Sequence, residues 1–207
     1  TSSFKELKSL LQRALAGEAS AKASGLTEVW DLALSARGLL DAARLLAGQY
    51  HLVITNVPYL ARGRQHDTLR DYCDAHYPEA KNDLANVFLE RCLELSRAQA
   101  QGVVQIVMPQ NWLFLSGYKK QRESLLKRVQ WNLLARLGEG GFESPQAAGA
   151  FIILLTQTRT PAGSDFQLRG IDASAPKSAA EKARLLHGAA DVVSVSQHGQ
   201  LANPDAI

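Results

Sequence analysis

The tetrapeptide Asn56-Val57-Pro58-Tyr59 combines residue types that suit methylation of an exocyclic amine on a planar ring. Such an amine is a poor nucleophile, because its lone pair is delocalised into the ring. The Asn56 side-chain carbonyl and the Val57 backbone carbonyl could accept hydrogen bonds from its two N–H groups and aim the lone pair at a methyl donor. Pro58 restricts the backbone of Val57, and Tyr59 offers a flat face for base stacking. Positioning and electrostatics would carry the step, with no general base needed before transfer.

The segment before this tetrapeptide has the composition of a β-strand. Residues 50–55 are apolar and β-branched, which predicts a strand buried on both faces. In open α/β sheets, ligands bind in the crevice outside the carboxyl ends of the strands. The tetrapeptide would therefore lie in a functional position. From these residues alone, an ordinary turn in which Pro58 ends the strand and Tyr59 packs nearby is the alternative interpretation.

Hydrophobic periodicity predicts strands that alternate with helices along the rest of the chain. We expect helices over 4–16, Thr27–Leu46, a stretch from an Asn82 or Asp83 cap to Leu95, 118–129 and 179–186, and strands over 103–108, 131–137, 150–156 and Val192–Ser196. Residues 61–82 are predicted to form a polar loop, and residues 161–180 a linker or irregular segment. This alternation indicates an α/β sheet with right-handed crossovers.

Composition bounds the class of protein. The 207 residues suit one ordinary domain with an appended tail, and 46% hydrophobic content is enough for a core. A net charge of +3 is compatible with a nucleic-acid partner but does not require one. Cys73 and Cys92 read as reduced thiols, and the five scattered histidines predict no metal site. Without a signal peptide or an apolar stretch of membrane-spanning length, we expect a soluble, cytoplasmic protein.

Several motifs, in order, resemble the gamma-type adenine-specific DNA methyltransferases. The hallmark of that family is (Asn/Asp/Ser)-Pro-Pro-(Tyr/Phe), and here it is followed by a helix from Asn82 to Leu95 and a strand ending in Met108-Pro109. The segments Asn111-Trp112-Leu113-Phe114-Leu115 and Leu137-Gly138-Glu139-Gly140-Gly141-Phe142 complete the match. The resemblance covers roughly residues 50–157. The family includes the Taq-type enzymes and the PglX-like enzymes of BREX phage defence.

The resemblance implies a fold, a reaction and a site. The fold would be the C-terminal half of a seven-stranded, Rossmann-like class I methyltransferase sheet, comprising its fourth, fifth, seventh and sixth strands. The reaction would be transfer of a methyl group from S-adenosylmethionine to the N6 amine of a flipped-out adenine in double-stranded DNA. Asn56 and Val57 would hold the amine, Pro58 would lie beside the cofactor's methyl group, and Tyr59 and Phe142 would sandwich the base. Restriction or defence subunits are expected partners.

Other residues admit two interpretations. Trp30 and Trp112 could be stacking platforms, although core support is the favoured role for Trp112. Gly138, Gly140 and Gly141 indicate a flexible loop rather than a phosphate cradle. A basic helix face could contact DNA phosphates, with a solvated face as the favoured alternative; it comprises Lys119, Lys120, Arg122, Lys127 and Arg128.

The chain departs from the family pattern in two respects. Val57 replaces a proline, which is tolerable because this residue would act through its backbone carbonyl. No strand, glycine loop and helix unit precedes residue 50, so we expect an internal fragment whose main cofactor-binding residues lie elsewhere. We divide it into a helical lead-in (1–49), a catalytic half for the target adenine (50–160), and a linker with the start of a further region (161–207).

Two other functions stay open. Methyltransferases acting on protein glutamines or RNA guanines share the hallmark, but they usually lack the Trp-Leu-Phe-Leu segment and the downstream Leu-Gly-Glu-x-x-Phe. A non-catalytic module that binds DNA or partner subunits is favoured by Val57 and by the missing cofactor half.

Overall fold

The computed structural model describes residues 27–143, 149–188 and 190–206, and the chain divides into two compact units at Gly48. In the first unit, helix α1 spans Thr27–Leu46, which confirms the prediction for this segment. The Gly48 N–H donates to the Leu45 carbonyl at 3.1 Å just past its end. The predicted helix over 4–16 and the side chain of Trp30 lie outside the described part.

The second unit contains a mixed sheet with helices between its strands. Its elements are β1 (Leu52–Asn56), α2 (Asp67–His76), α3 (Leu84–Leu95), β2 (Val103–Pro109), α4 (Lys119–Arg128), β3 (Gln130–Gly138), β4 (Ile152–Thr158), β5 (Gln167–Asp172), α5 (Ala179–Gly188), β6 (Val192–Ser196) and α6 (Gln197–Gln200). Short 3-10 turns lie at Arg62–Arg64, Asn111–Leu113, Ser116–Tyr118 and Pro204–Ala206.

The strand order is β1-β2-β4-β3-β5-β6. Strand β1 pairs parallel with β2, β4 is antiparallel to both β2 and β3, and β5 pairs parallel with β3. The first four strands in space therefore follow the predicted order of fourth, fifth, seventh and sixth, which confirms the fold class. Because β1, β2, β3 and β5 run the same way, their carboxyl ends meet at one edge of the sheet.

The main core lies between the sheet and helices α3 and α4. Leu89 and Leu93 of α3, Ile106 of β2 and Leu155 of β4 are almost fully buried in one cluster. Trp112 is also fully buried there, with its ring centroid 5.6 Å from that of Trp131. Core support is therefore the role of Trp112 in this structure.

A buried polar contact joins the two core helices. The Asn86 amide of α3 donates to the Gln121 side-chain oxygen of α4 at 2.8 Å. Gln121 in turn donates to Glu90 at 3.1 Å. Because buried amides without partners are destabilising, these bonds favour one relative placement of α3 and α4.

Two segments predicted to be irregular are ordered elements. The predicted loop over 61–82 contains α2, whose ten residues are mostly polar and bury only Cys73, so its composition resembles that of a loop. The predicted irregular segment over 161–180 contains β5, whose burial alternates only weakly. Pairing with β3 on one side and β6 on the other satisfies its backbone, so tertiary contacts override the weak local signal.

The prediction that the first strand is buried on both faces is wrong. Val53 packs against the main core, but Leu52 is 53% exposed and Ile54 is 68% exposed. Among the described residues, β1 is an edge strand with β2 as its single sheet neighbour. The side chains of Leu52 and Ile54 alternate with that of Val53, so they lie on the opposite face of the sheet from the main core.

Within the described ranges, no helix is long and apolar enough to cross a membrane, and no cluster of three or more His, Cys, Asp or Glu residues could hold a metal ion.

We predict that Gln197→Leu strongly destabilises the chain. The buried Gln197 side chain accepts from the Trp131 N–H at 2.8 Å and donates to the Leu126 and Val129 carbonyls at 2.8 and 2.7 Å. Three buried backbone groups would lose their partners, so the free energy of unfolding should fall by roughly 3 kcal/mol in urea titrations. The exposed neighbour His198 is the control, and His198→Ala should change stability by less than about 0.5 kcal/mol. Equal effects of both substitutions would contradict the role of Gln197.

Candidate active site

The predicted tetrapeptide lies at the carboxyl end of β1. Asn56 is the last residue of the strand and is exposed, Val57 is 5% exposed, and Pro58 is exposed again. Tyr59 is half-buried. Because exposure alternates along residues 56–58, the Asn56 side chain is accessible at the edge where the parallel strands end. The Val57 side chain packs in the core and fixes the turn.

A polar clamp holds the chain just after Tyr59. The Asp83 carboxylate accepts from the Ala85 N–H at 2.9 Å, capping α3, and from the Leu60 N–H at 3.3 Å. The Leu60 carbonyl accepts from the Leu84 N–H at 3.0 Å and from the Gln65 side chain at 3.1 Å. The sequence predicts Asn82 or Asp83 as the cap of α3, and in the structure it is Asp83. The bond from Asp83 to the loop depends on a long-range contact that no local signal reveals.

Tyr59 is held by its ring rather than by its hydroxyl. The ring packs against the main core and against a second cluster of Leu137, Ile152 and Ala173. Its hydroxyl is buried and has no hydrogen-bond partner among the described residues. Burial, with a smaller effect of the Asp83 charge, raises the pKa of Tyr59 to about 12. The phenol is therefore neutral at physiological pH.

Phe142 packs against the same second cluster as Tyr59. It is half-buried and follows the carboxyl end of β3, whereas Tyr59 follows the carboxyl end of β1. The structure therefore brings the two predicted aromatic residues to one apolar cluster of Leu137, Ile152 and Ala173.

The glycine turn, residues 138–142, packs tightly against its neighbours, and this packing gives its glycines a structural reason. Gly138 and Gly140 have φ of 63° and 74°, a left-handed conformation that favours glycine. A Cβ on Gly140 would overlap the Lys177 carbonyl oxygen, and one on Gly141 would lie 2.5 Å from Cδ1 of Ile152. The glycines thus allow close backbone approach.

Arg122 does not belong to a solvent-facing basic surface, which corrects the predicted grouping. It is 1% exposed, and its guanidinium donates to the carbonyls of Trp112, Leu115 and Asp205. It therefore ties the connection after β2 to the turn at Pro204–Ala206. The other four members of the predicted face are exposed: Lys119, Lys120, Lys127 and Arg128.

The sheet edge that carries the tetrapeptide also exposes several apolar side chains. Phe114 and Leu115, which follow β2, are 53% and 50% exposed, and Phe151, which precedes β4, is 53% exposed. The Gln110 N–H donates to the Phe151 carbonyl at 2.9 Å, so the two segments lie side by side. The site therefore has an apolar margin.

The strand order and the polar-Pro-aromatic turn at the end of β1 define the C-terminal half of a class I methyltransferase sheet. Residues 4–142 match the family model of the Eco57I restriction-modification methylases. The chain belongs to this family.

Individual relatives agree with this assignment. The chain is 33% identical over 116 residues to the adenine-specific methyltransferase PglX of Lacticaseibacillus casei (strain Zhang), covering 55% of this chain and 9% of PglX. It is 29% identical over 103 residues to the adenine-specific methyltransferase BrxX of Escherichia coli O9:H4 (strain HS), covering 50% of this chain and 8% of BrxX. It thus spans less than a tenth of the length of either relative.

A solved structure supports the fold. The chain is similar to a Listeria monocytogenes protein described as a class I S-adenosylmethionine-dependent methyltransferase, with a TM-score of 0.50 and 17% identity. The similarity covers 75% of this chain and 49% of that protein.

We predict that Gly140→Ala destabilises the chain by roughly 2 kcal/mol or more. Alanine is strained at positive φ, and its Cβ would overlap the Lys177 carbonyl, which as backbone cannot move aside cheaply. Gly163→Ala is the matched control, because a Cβ there meets no atom within 4 Å. Thermal or urea unfolding would measure both variants, and a stable Gly140→Ala protein would show that the turn is loose.

Proposed function

We propose that the full-length protein transfers a methyl group from S-adenosylmethionine to the exocyclic N6 amine of a flipped-out adenine in DNA. The observation that carries this proposal is the placement of Tyr59 and Phe142 on one apolar cluster, beside an exposed Asn56 at the carboxyl end of a parallel strand. Membership of the Eco57I family and similarity to two adenine-specific methyltransferases support the choice of reaction and base.

Each residue of the tetrapeptide has a defined role in this mechanism. The Asn56 side-chain carbonyl and the Val57 backbone carbonyl accept hydrogen bonds from the two N–H groups of the amine. These bonds direct the nitrogen lone pair toward the methyl donor. Pro58 keeps the Val57 carbonyl in an extended backbone and lies beside the donor. Burial of the Val57 side chain adds the rigidity that a second proline would otherwise give.

The two aromatic residues receive the base. An adenine extruded from duplex DNA loses its stacking, and part of that energy is regained between the rings of Tyr59 and Phe142. The neutral Tyr59 phenol presents no charge to the base, because its pKa is about 12. Their shared support on Leu137, Ile152 and Ala173 limits how far either ring moves.

The described residues fit only part of the site for S-adenosylmethionine. When bound, this cofactor supplies an electrophilic methyl group. Pro58 is the residue that we assign to a position beside this methyl group. Before β1, the described residues form α1 and no strand, glycine loop and helix unit. We propose that the main cofactor-binding residues lie elsewhere in the full-length protein, on strands that pair with the open edge of β1.

The division of labour within the chain follows from this assignment. Residues 50–160 form the target-adenine half, residues 1–49 lead in from the cofactor-binding half, and residues 161–207 begin a further region. The partners are double-stranded DNA and other restriction or defence subunits, and the protein works in the cytoplasm with its DNA.

A non-catalytic DNA- or partner-binding module is the second candidate function. The observation that favours it is Val57 in place of the hallmark proline. Whether the full-length protein modifies DNA distinguishes the two candidate functions.

We predict that Asn56→Ala lowers the methylation rate of the full-length protein by about 100-fold or more, because one acceptor for the amine is lost. Asn56→Asp keeps an oxygen acceptor and should be faster than Asn56→Ala. Digestion of the DNA to nucleosides, with mass analysis of N6-methyladenine, measures the rate and identifies the base. An Asn56→Ala enzyme as fast as wild type would refute the mechanism, and unmodified DNA from wild type with cofactor present would favour the non-catalytic module.

We also predict opposite outcomes for two substitutions of Tyr59. Tyr59→Phe should keep a methylation rate within about threefold of wild type, because the hydroxyl has no hydrogen-bond partner among the described residues. Tyr59→Ala removes the stacking face, which is worth about 1–3 kcal/mol per base, and should lower the rate roughly 10- to 100-fold. Single-turnover assays on one DNA duplex compare them. Equal losses for both would assign the hydroxyl a role that we do not expect.

A further inference from the structure

Lys182 is a buried lysine that the proposed mechanism does not use. It lies on α5 and is 1% exposed, which is rare for lysine unless its charge is compensated. Its Nζ donates to the backbone carbonyls of Leu137 at 2.7 Å, Ala173 at 3.1 Å and Ser174 at 3.2 Å. An ammonium group has three N–H donors, so these carbonyls use its full capacity.

The three carbonyls lie where the β3–β5 ladder ends. The last paired residues of these strands are Arg136 and Asp172, and the Ala173 N–H still donates to the Arg136 carbonyl at 2.8 Å. Beyond that point the two strands no longer satisfy each other's carbonyl groups. The Lys182 ammonium takes over this task and joins the ends of β3 and β5 at the edge that carries the candidate active site.

The same lysine lies beneath the glycine turn. A Cβ on Gly140 would lie 3.9 Å from Cε of Lys182 and would overlap the Lys177 carbonyl, so the turn rests on the segment that leads into α5. Leu185 and Leu186 of α5 pack against the cluster of Leu137, Ile152 and Ala173, as Phe142 does. Helix α5 thus supports the turn through both polar and apolar contacts.

A reciprocal cap fixes the start of α5. The Ser178 hydroxyl accepts from the Glu181 N–H at 3.3 Å, and the Glu181 carboxylate accepts from the Ser178 N–H at 3.2 Å. Because Lys182 follows directly, its backbone is set by this cap. The helix therefore delivers the ammonium from a defined position rather than from a mobile loop.

We propose that Lys182 is a positioning residue, which clamps the ends of β3 and β5 so that the glycine turn presents Phe142 to the flipped-out base. The inference rests on the proposed function, since it concerns the base-stacking role of Phe142. Because its three N–H groups bond backbone carbonyls, Lys182 acts through the strand ends rather than on the base or the donor.

The energetics explain why a lysine at this place acts as a clamp. Burial disfavours the charged ammonium and lowers the pKa of Lys182, with the Lys177 charge adding to this effect and those of Asp172 and Glu181 opposing it. Three carbonyl oxygens compensate the buried charge. An apolar side chain of equal length would leave these acceptors without donors, and the strand ends would move apart to reach water.

The test is a double-mutant cycle in the full-length protein, comparing wild type, Lys182→Met, Phe142→Ala and the double variant. Single-turnover methylation rates at saturating DNA and cofactor are the readout. We expect each single variant to be about 10-fold or more slower than wild type, and the double variant to be no slower than the slower single variant. The dissociation constant for the cofactor should stay unchanged, because the Lys182 ammonium bonds the carbonyls of Leu137, Ala173 and Ser174 and not Pro58, the residue assigned to the donor.

Arg184→Met is the matched control, because it removes one positive charge from an exposed position on the same helix and should leave the rate unchanged. If Lys182→Met melts below the assay temperature, Lys182→Gln, which keeps two N–H donors, replaces it in the cycle. A rate between those of wild type and Phe142→Ala, with the same non-additivity, then supports the inference.

The outcomes distinguish a failure of the positioning role of Lys182 from a failure of the stacking role of Phe142. A slow Phe142→Ala variant with a Lys182 variant as fast as wild type, or with multiplying losses in the double variant, overturns the positioning role alone. A Phe142→Ala variant as fast as wild type overturns the stacking role of Phe142 and with it the positioning role. The Asn56→Ala result stands independently as the test of methylation.

Discussion

The parallel alignment of β1, β2, β3 and β5 is the constraint on which the candidate site depends. Residues that are distant in the sequence come together because each follows the end of a parallel strand at the same edge of the sheet. Asn56 ends β1 and Tyr59 follows it, whereas Phe142 follows β3. The antiparallel β4 lies between β2 and β3, and its first residue, Ile152, supports both aromatic rings through one apolar cluster.

Single buried or half-buried polar side chains secure the backbone where the regular ladders stop. Asp83 bonds both α3 and the loop after the tetrapeptide, Arg122 holds the connection after β2, and Lys182 joins the ends of β3 and β5. Gln197 does the same at the start of β3. Because a buried carbonyl or N–H without a partner is costly, each of these contacts favours one conformation of its loop. A site built from loops thereby acquires the rigidity that positioning chemistry requires.

The exposed outer face of β1 relates the chain to the larger proteins that it resembles. Leu52 and Ile54 have the composition of core residues but are more than half exposed at an edge strand. Exposed apolar edge strands are unfavourable in water and invite pairing. A chain that corresponds to less than a tenth of its PglX and BrxX relatives can leave such an edge for strands elsewhere in the full-length protein, which is how we assign the cofactor-binding half.

The sequence alone predicted the α/β class, most element positions and the residues of the tetrapeptide, because apolar periodicity and turn chemistry are local properties. It also predicted the strand order and Phe142, but only through a match to a family pattern. It missed α2 and β5, which have few apolar residues, and it grouped the buried Arg122 with an exposed basic face. Only the tertiary structure decided which polar groups are buried and which backbone groups they bond. The sequence around Lys182 is typical of an exposed lysine, and its burial depends on carbonyls from the ends of two strands that are distant in the sequence.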